Sequence, residues 1–192
     1  AYLFRAADGL ELRKLLPDDG AAGDRFGTAV AIDGDVVVVG APAHDDNGAS
    51  SGAAYVFSAS TGAQLAKLLP DDGQAGDEFG CSVAIRDGLI VIGAKRDDDN
   101  GLDAGSAYVF DATTWSQTAK LLADDGGPID NRGDAVGIDG GLIVVGAHGD
   151  NFLAGSVYVF DAASGDQIRR VTPVNNGASD FFGAAVAIDD GV

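Results

Sequence analysis

The chain has 192 residues, long enough for one substantial core, and carries 30 acidic against 12 basic side chains for a formal net charge of -18. That balance argues against nucleic-acid phosphates and against an anionic membrane surface as partners, since both need clustered Lys and Arg. No apolar run is long enough to span a bilayer, and a single cysteine, Cys81, rules out an internal disulfide.

The chain opens on AYLF, residues 1–4, a strand-like piece. Asp8-Gly9 marks a turn, and Leu10, Leu12 and the Leu15-Leu16 pair read as the next strand. Pro17-Asp18-Asp19-Gly20 breaks it. Four strands then follow at Thr28–Ile32, Val36–Ala41, Ala53–Phe57 and Gln64–Leu69. Val36–Val39 is unbroken β-branched residue, the pattern of a strand buried on both faces. The third piece alternates more, as a strand nearer a sheet edge would. Asp33-Gly34, Asp87-Gly88, Asp139-Gly140 and Asp190-Gly191 are tight hairpin signals, because glycine accepts positive φ. Thr61-Gly62 and Ser164-Gly165 turn the third strand into the fourth, where the second copy has Thr114-Trp115. The second-to-third connections are long: His44–Gly52, Lys95–Gly105 and the shorter His148–Gly155. No segment carries a helical period.

The same sentence returns along the chain. Tyr2, Tyr55, Tyr108 and Tyr158 recur at steps of 53, 53 and 50 residues, and Lys14, Lys67, Lys120 and Arg170 keep the same steps. The shortened step falls in the loop between Gly146 and Gly155. A periodic scaffold with variable loops, built of four short antiparallel strands per repeat, predicts an all-β fold of β-propeller blades.

Three motifs carry a family resemblance: F-G at Phe26-Gly27, G-A-P at Gly40-Ala41-Pro42 and A-A-Y-V-F at Ala53–Phe57. The chain resembles the FG-GAP repeat, in its bacterial subtype with the lead-in L-L-x-x-D-G-x-x-G-D-x-F-G. The resemblance implies the propeller of integrin α subunits and bacterial surface proteins, and so an extracellular or cell-surface location. Arg132 departs from it in the third F-G, and Gly93-Ala94-Lys95 and Gly146-Ala147-His148 depart from G-A-P. The expected organisation is one repeat domain over 1–192: a partial blade 1–16, blades 17–69, 70–122 and 123–172, and a partial blade 173–192, about three and a half blades in all. In this reading Ala184–Ile188 supplies the first strand of the last blade. Lacking an initiator Met, the chain reads as a processed form or a piece of a longer protein. Its open end blades imply that it is not a stable isolated monomer, so that further chain, another copy or a partner completes them.

Candidate site residues fall in two groups. Asp24, Asp77, Asp130 and Asp180 stand three residues before the F-G glycine in every copy, where a short acid accepting backbone N–H bonds explains them. The long loops hold the metal candidates: Asp97, Asp99 and Asp103 in the second copy, and Asp45 and Asp46 in the first. Alternating carboxylates around a glycine bend suit Ca²⁺, which takes several oxygen ligands; the competing reading is a solvated acidic loop. The integrin calcium loop lies between the first and second strands, where this chain has only a hairpin, so that site does not carry over. Recurrent acids such as Asp18-Asp19 point to structure, since a catalytic pair is expected once. Cys81 fills a slot held elsewhere by Thr28, Asp134 and Ala184, so a small strand residue is expected there. Arg132-Gly133-Asp134 spells the tripeptide that integrins recognise but sits where a strand begins. Together these features predict a non-enzymatic scaffold for adhesion, protein–protein interaction or assembly, calcium-stabilised through those loops. Its partner would be another protein or further copies of the chain. The alternative is a glycan-binding, lectin-like propeller using Trp115, the one Trp.

Overall fold

The Asp33-Gly34, Asp87-Gly88 and Asp139-Gly140 steps each close a hairpin. Asp87 and Gly88 hold φ of 52° and 78°, and Gly140 and Gly141 hold 56° and 77°. Positive φ at both central positions matches the twist of the flanking strands. The computed structural model describes residues 1–175 and 177–189, so the turn expected at Asp190-Gly191 lies outside it.

The strands in chain order are β1 (Tyr2–Phe4), β2 (Glu11–Lys14), β3 (Val30–Asp33), β4 (Val36–Ala41), β5 (Ala53–Ser58), β6 (Gln64–Leu68), β7 (Phe79–Arg86), β8 (Leu89–Ala94), β9 (Ser106–Asp111), β10 (Gln117–Leu121), β11 (Arg132–Asp139), β12 (Leu142–Ala147), β13 (Ser156–Asp161) and β14 (Gln167–Val171). They form a two-stranded sheet, β1-β2, and three four-stranded antiparallel meanders: β3-β4-β5-β6, β7-β8-β9-β10 and β11-β12-β13-β14. Residues 184–188, expected as a strand, form none. Around them the chain joins the last meander through a bridge between Gly155 and Phe182, and no neighbouring ladder among the described residues extends it.

The apolar second strands are buried as their pattern predicts. Val37–Val39, Ile90–Ile92 and Ile143–Val145 are buried, with the first residue of each strand half-buried. Val37 and Val39 face a cluster with Leu15, Tyr55 and Phe57; Val38 faces the next sheet, with Phe79, Ile90, Ile92 and Tyr108. The core therefore lies between stacked sheets, and β4 serves two of its layers. The third strand corrects the sequence reading. β5 is buried at all six positions, because it lies between β4 and β6 and its small residues meet the following sheet.

The sheets are stitched by backbone. In the first seam Gly76, Glu78 and Phe79 donate N–H bonds to Ala49, Ser50 and Ser51 at 2.9, 3.1 and 3.0 Å. Ile129, Asn131 and Arg132 repeat this on Leu102, Asp103 and Ala104, and Ser179, Phe181 and Phe182 repeat it on Phe152, Leu153 and Ala154. The long loop of one sheet thus docks on the lead-in of the next. The F-G and G-A-P glycines meet at these seams: a Cβ on Gly40 would lie 2.0 Å from the Gly80 carbonyl oxygen. The two motifs are halves of one contact.

Candidate functional site

In an antiparallel meander, the end of strand two, the start of strand three, the end of strand four and the lead-in to strand one share one end of the sheet. At that end each copy builds the same polar cluster. In the second copy the Lys120 ammonium, from the end of β10, lies 2.7 Å from Asp72, 2.8 Å from Asp97 and 2.5 Å from Asp99. Tyr108 Oη sits 2.9 Å from Asp72 and 2.6 Å from Asp97, and the ammonium lies 5.0 Å from the centre of its ring. Burial first, then Asp97, push the Tyr108 hydroxyl far above its usual range, so it stays a proton donor. In the first copy Lys67 binds Asp19 at 2.7 Å, His44 Nε2 at 2.7 Å, and Asp46. In the third, Arg170 takes the slot and binds Asp125 and Asp150, each at 2.6 Å.

The metal candidates separate on this geometry. Asp97 and Asp99 do come together, but around Lys120. Asp103 does not join them: its N–H donates to Asp98 at 2.7 Å, and its carboxylate lies 4.0 Å from Arg96. Asp45 accepts the Ser50 N–H at 2.8 Å as a turn residue, and Asp46 turns to Lys67. Among the described residues one trio has metal-ligand chemistry and spacing, Asp19, His44 and Asp46, and Lys67 contacts all three. A resident ammonium occupies the place among the acids that an ion would need, so these donor sets do not fit calcium as they stand. Melting curves in chelator and in millimolar calcium should therefore coincide. A rise of several degrees with calcium would mean that the acids leave their lysines for the ion.

The lead-in acids act as turn residues. Asp24, Asp77, Asp130 and Asp180 accept the N–H of Ala21, Gln74, Gly127 and Gly177 at 2.7, 2.7, 2.8 and 2.7 Å. Their neighbours differ. His44 Nδ1 lies 3.0 Å from Asp24, and Arg132 pairs with Asp130. Where His44 stands in the first copy the second has Asp97, so no cation sits directly on Asp77. Burial raises all three carboxyls. The Ala21 N–H and His44 outweigh it at Asp24, which is held below the usual range, while Asp130 stays raised despite Gly127 and Arg132. Asp77 is pushed up to about 6, by burial first and with Asp97 adding to it. A carboxyl raised in the folded chain contributes stability that is full below its unfolded pKa, near 3.8, and is lost as pH rises through about 6. Asp77→Asn should accordingly stabilise the protein at pH 7.5 by about 1–3 kcal/mol. The gain should vanish towards pH 4; urea titrations giving the same gain at both pH values would show that the Asp77 charge is not its source.

The remaining sequence candidates are structural in place. Arg132 is 1% exposed, so the Arg-Gly-Asp tripeptide is not displayed. Its guanidinium lies 5.2 Å from the Tyr158 ring centre, in the slot where Phe26 and Phe79 stack on Tyr55 and Tyr108 at 5.7 and 5.5 Å. Cys81 Sγ points at the Gly93 and Gly133 carbonyls at 3.3 and 3.2 Å, and burial pushes its thiol up to about 12. Trp115 is half-buried against the cluster around Phe110. The sequence reading saw Lys67, Lys120 and Arg170 only as register marks. The signal that could have found the clusters was a base and a pair of acids recurring in step.

Stacked four-stranded meanders, stitched loop to lead-in, define the chain as a run of β-propeller blades. A family model described as FG-GAP repeat matches residues 10–57, 63–110 and 115–160. The chain belongs to the FG-GAP repeat family. Each match begins at the last strand of one sheet, β2, β6 or β10, and runs into the third of the next, so the sequence unit straddles a seam. No curated protein sequence matches the chain. Among solved structures, the computationally designed Ika8 protein is similar at 22% identity and a TM-score of 0.58, over 88% of this chain and 42% of that one. The computationally designed Ika4 protein is similar at 22% identity and a TM-score of 0.55, over 83% and 79%. The chain thus spans less than half of the Ika8 protein, and at this identity the likeness shows the fold alone. Among the described residues no helix is long and apolar enough to cross a membrane.

Proposed function

We propose that the chain is a non-enzymatic scaffold for protein–protein contact, displayed outside the cell or on its surface. One observation carries the reading: the polar clusters recur in every copy, and each closes on its own base. Lys67, Lys120 and Arg170 hold the acids of three successive blades. A carboxylate gripped by an ammonium and repeated in step is a fastening, not a free acid or base for catalysis. Binding is then left to the loop surfaces. FG-GAP membership supports a propeller that binds partners, and the strong negative charge supports solubility and electrostatic choice of partner.

The test is a binding screen with the full chain, immobilised, against an array of extracellular protein domains and a glycan array, beside a panel of polysaccharide and ester substrates. Saturable binding to protein with no turnover is expected. Saturable glycan binding would favour the lectin reading, and turnover of any substrate would overturn the non-enzymatic one.

A further inference from the structure

At one place on the loop face the copies stop resembling one another. The seam carbonyls that accept from the lead-in belong to Ala49, then Leu102, then Phe152, and their donors are Gly76, then Ile129, then Ser179. The bonding is the same in all three seams, so alanine and glycine suffice for the scaffold. Yet Leu102 is 64%, Ile129 55% and Phe152 86% exposed. Phe181, beside Leu153, is 43% exposed where the equivalent residues are Arg25, Glu78 and Asn131. The backbone is strained there too. Asn151, Phe152 and Leu153 hold φ of 51°, 62° and 66°, and Ile129 holds 67°. Left-handed backbone is costly for aromatic and β-branched residues and suits Gly or Asn. Among the described residues, large apolar side chains are thus kept exposed on strained backbone at this place alone, where the repeat itself needs none. Such outliers mark functional surfaces.

The patch surrounds a cleft of about 470 Å³, with Pro128 and Ile129 on one wall and Phe152 and Leu153 on the other. Its flanks are mostly acidic: Asp103 adjoins Leu102, with Asp98 accepting its N–H and Arg96 4.0 Å from its carboxylate, and Asp180 adjoins Phe181. From Asp97 onward the sequence holds sixteen acids and four bases. Three of those bases, Lys120, Arg132 and Arg170, are bound to carboxylates. Anionic lipid and nucleic acid would be repelled, whereas a basic chain would be drawn in.

We propose that this cleft docks a basic segment of another protein, which inserts an aliphatic or aromatic anchor between Ile129 and Phe152. The proposal rests on the protein-scaffold reading and names its surface and partner chemistry. The probes are three labelled synthetic peptides: a Lys-rich one with a central Leu-Phe, the same with Ser-Ser, and an acidic one with Leu-Phe, each titrated onto the full chain. The basic Leu-Phe peptide should bind at least about tenfold more tightly than either control and weaken in high salt. Phe152→Asn combined with Ile129→Gly should cut that binding about tenfold or more. The melting temperature should hold or rise, because both replacements suit left-handed backbone. Leu65→Ser, at an exposed position on β6, should change nothing. Equal binding of the Ser-Ser peptide, no binding at all, or binding untouched by the double variant would overturn the proposal. If the array still returns a protein ligand in any of these cases, the scaffold reading stands and only the cleft is lost. Sedimentation that shows a Phe152-dependent dimer would give the patch to a second copy and overturn the basic-segment chemistry.

Discussion

Gly93→Ala should be among the most damaging single-methyl changes, costing about 3–5 kcal/mol and lowering the melting temperature by about 10 °C or more. A Cβ built on Gly93 would lie 1.9 Å from the Gly133 carbonyl oxygen and 2.4 Å from Ser82 Oγ. The serine can turn, but the carbonyl cannot. Gly133 opens the first strand of the next blade, and its neighbour Arg132 is bonded to Ala104 across the seam at 3.0 Å. Relieving the clash means pulling two blades apart along a buried layer. Gly27→Ala is the matched control. Gly27 has φ of +96°, but a Cβ there would meet nothing within 4 Å, so only backbone strain of about 1–2 kcal/mol is expected. Thermal denaturation of the two variants side by side decides the matter. Equal, small losses would mean that the blades are not packed glycine to carbonyl.

Lys120→Met should cost about 3–5 kcal/mol at neutral pH, because it leaves one buried acid, Asp97, without its cation, whereas Asp72 and Asp99 are about as exposed as the acids around Lys67. The Asp97 side chain is 4% exposed and the lysine 14%, so water cannot replace the ammonium. Burial alone would lower the lysine pKa; Asp72, Asp97 and Asp99 more than offset it and hold the pKa raised, so the charge persists through the whole neutral range. Lys67→Met should lose less, about 1 kcal/mol. Its partners Asp19 and Asp46 are 48% and 41% exposed, and solvent covers them when the lysine goes. With the lysine gone, the burial that raises Asp72 is less opposed, so the Lys120→Met penalty should shrink as the pH falls towards 4. Denaturant midpoints for the two variants at pH 4 and 7.5 test this. Equal losses at the two sites would show that burial does not set the value of the cluster.

Which features were legible follows from how far apart their partners lie in the chain. The Asp33-Gly34 and Asp87-Gly88 hairpins are local, and two residues state the turn. Val36–Val39 announces its burial because one strand must satisfy two apolar faces at once. The third strand misled, because alternation such as Ala53-Ala54-Tyr55-Val56 suggests one exposed face. Tyr55 is buried all the same: its hydroxyl has a carboxylate to donate to, 2.9 Å away on Asp19. The acidic loop around Asp97 is legible only in part. Its alternating carboxylates stand out locally, but the lysine that lies among them comes from a strand more than twenty residues further on.

By itself the sequence determined the repeat, its four strands, the all-β class and the family, because each is written in spacing and local pattern. It also placed Asp24, Asp77 and Asp130 in turns, since acceptor and donor are three residues apart. Only the tertiary structure decided that Lys67 closes on Asp19, 48 residues away, and that Gly40 rests on Gly80 in the next blade. It alone gathered Ile129 and Phe152 on one cleft. Such contacts depend on how blades stack: the period marks which residues recur, but not which of them meet.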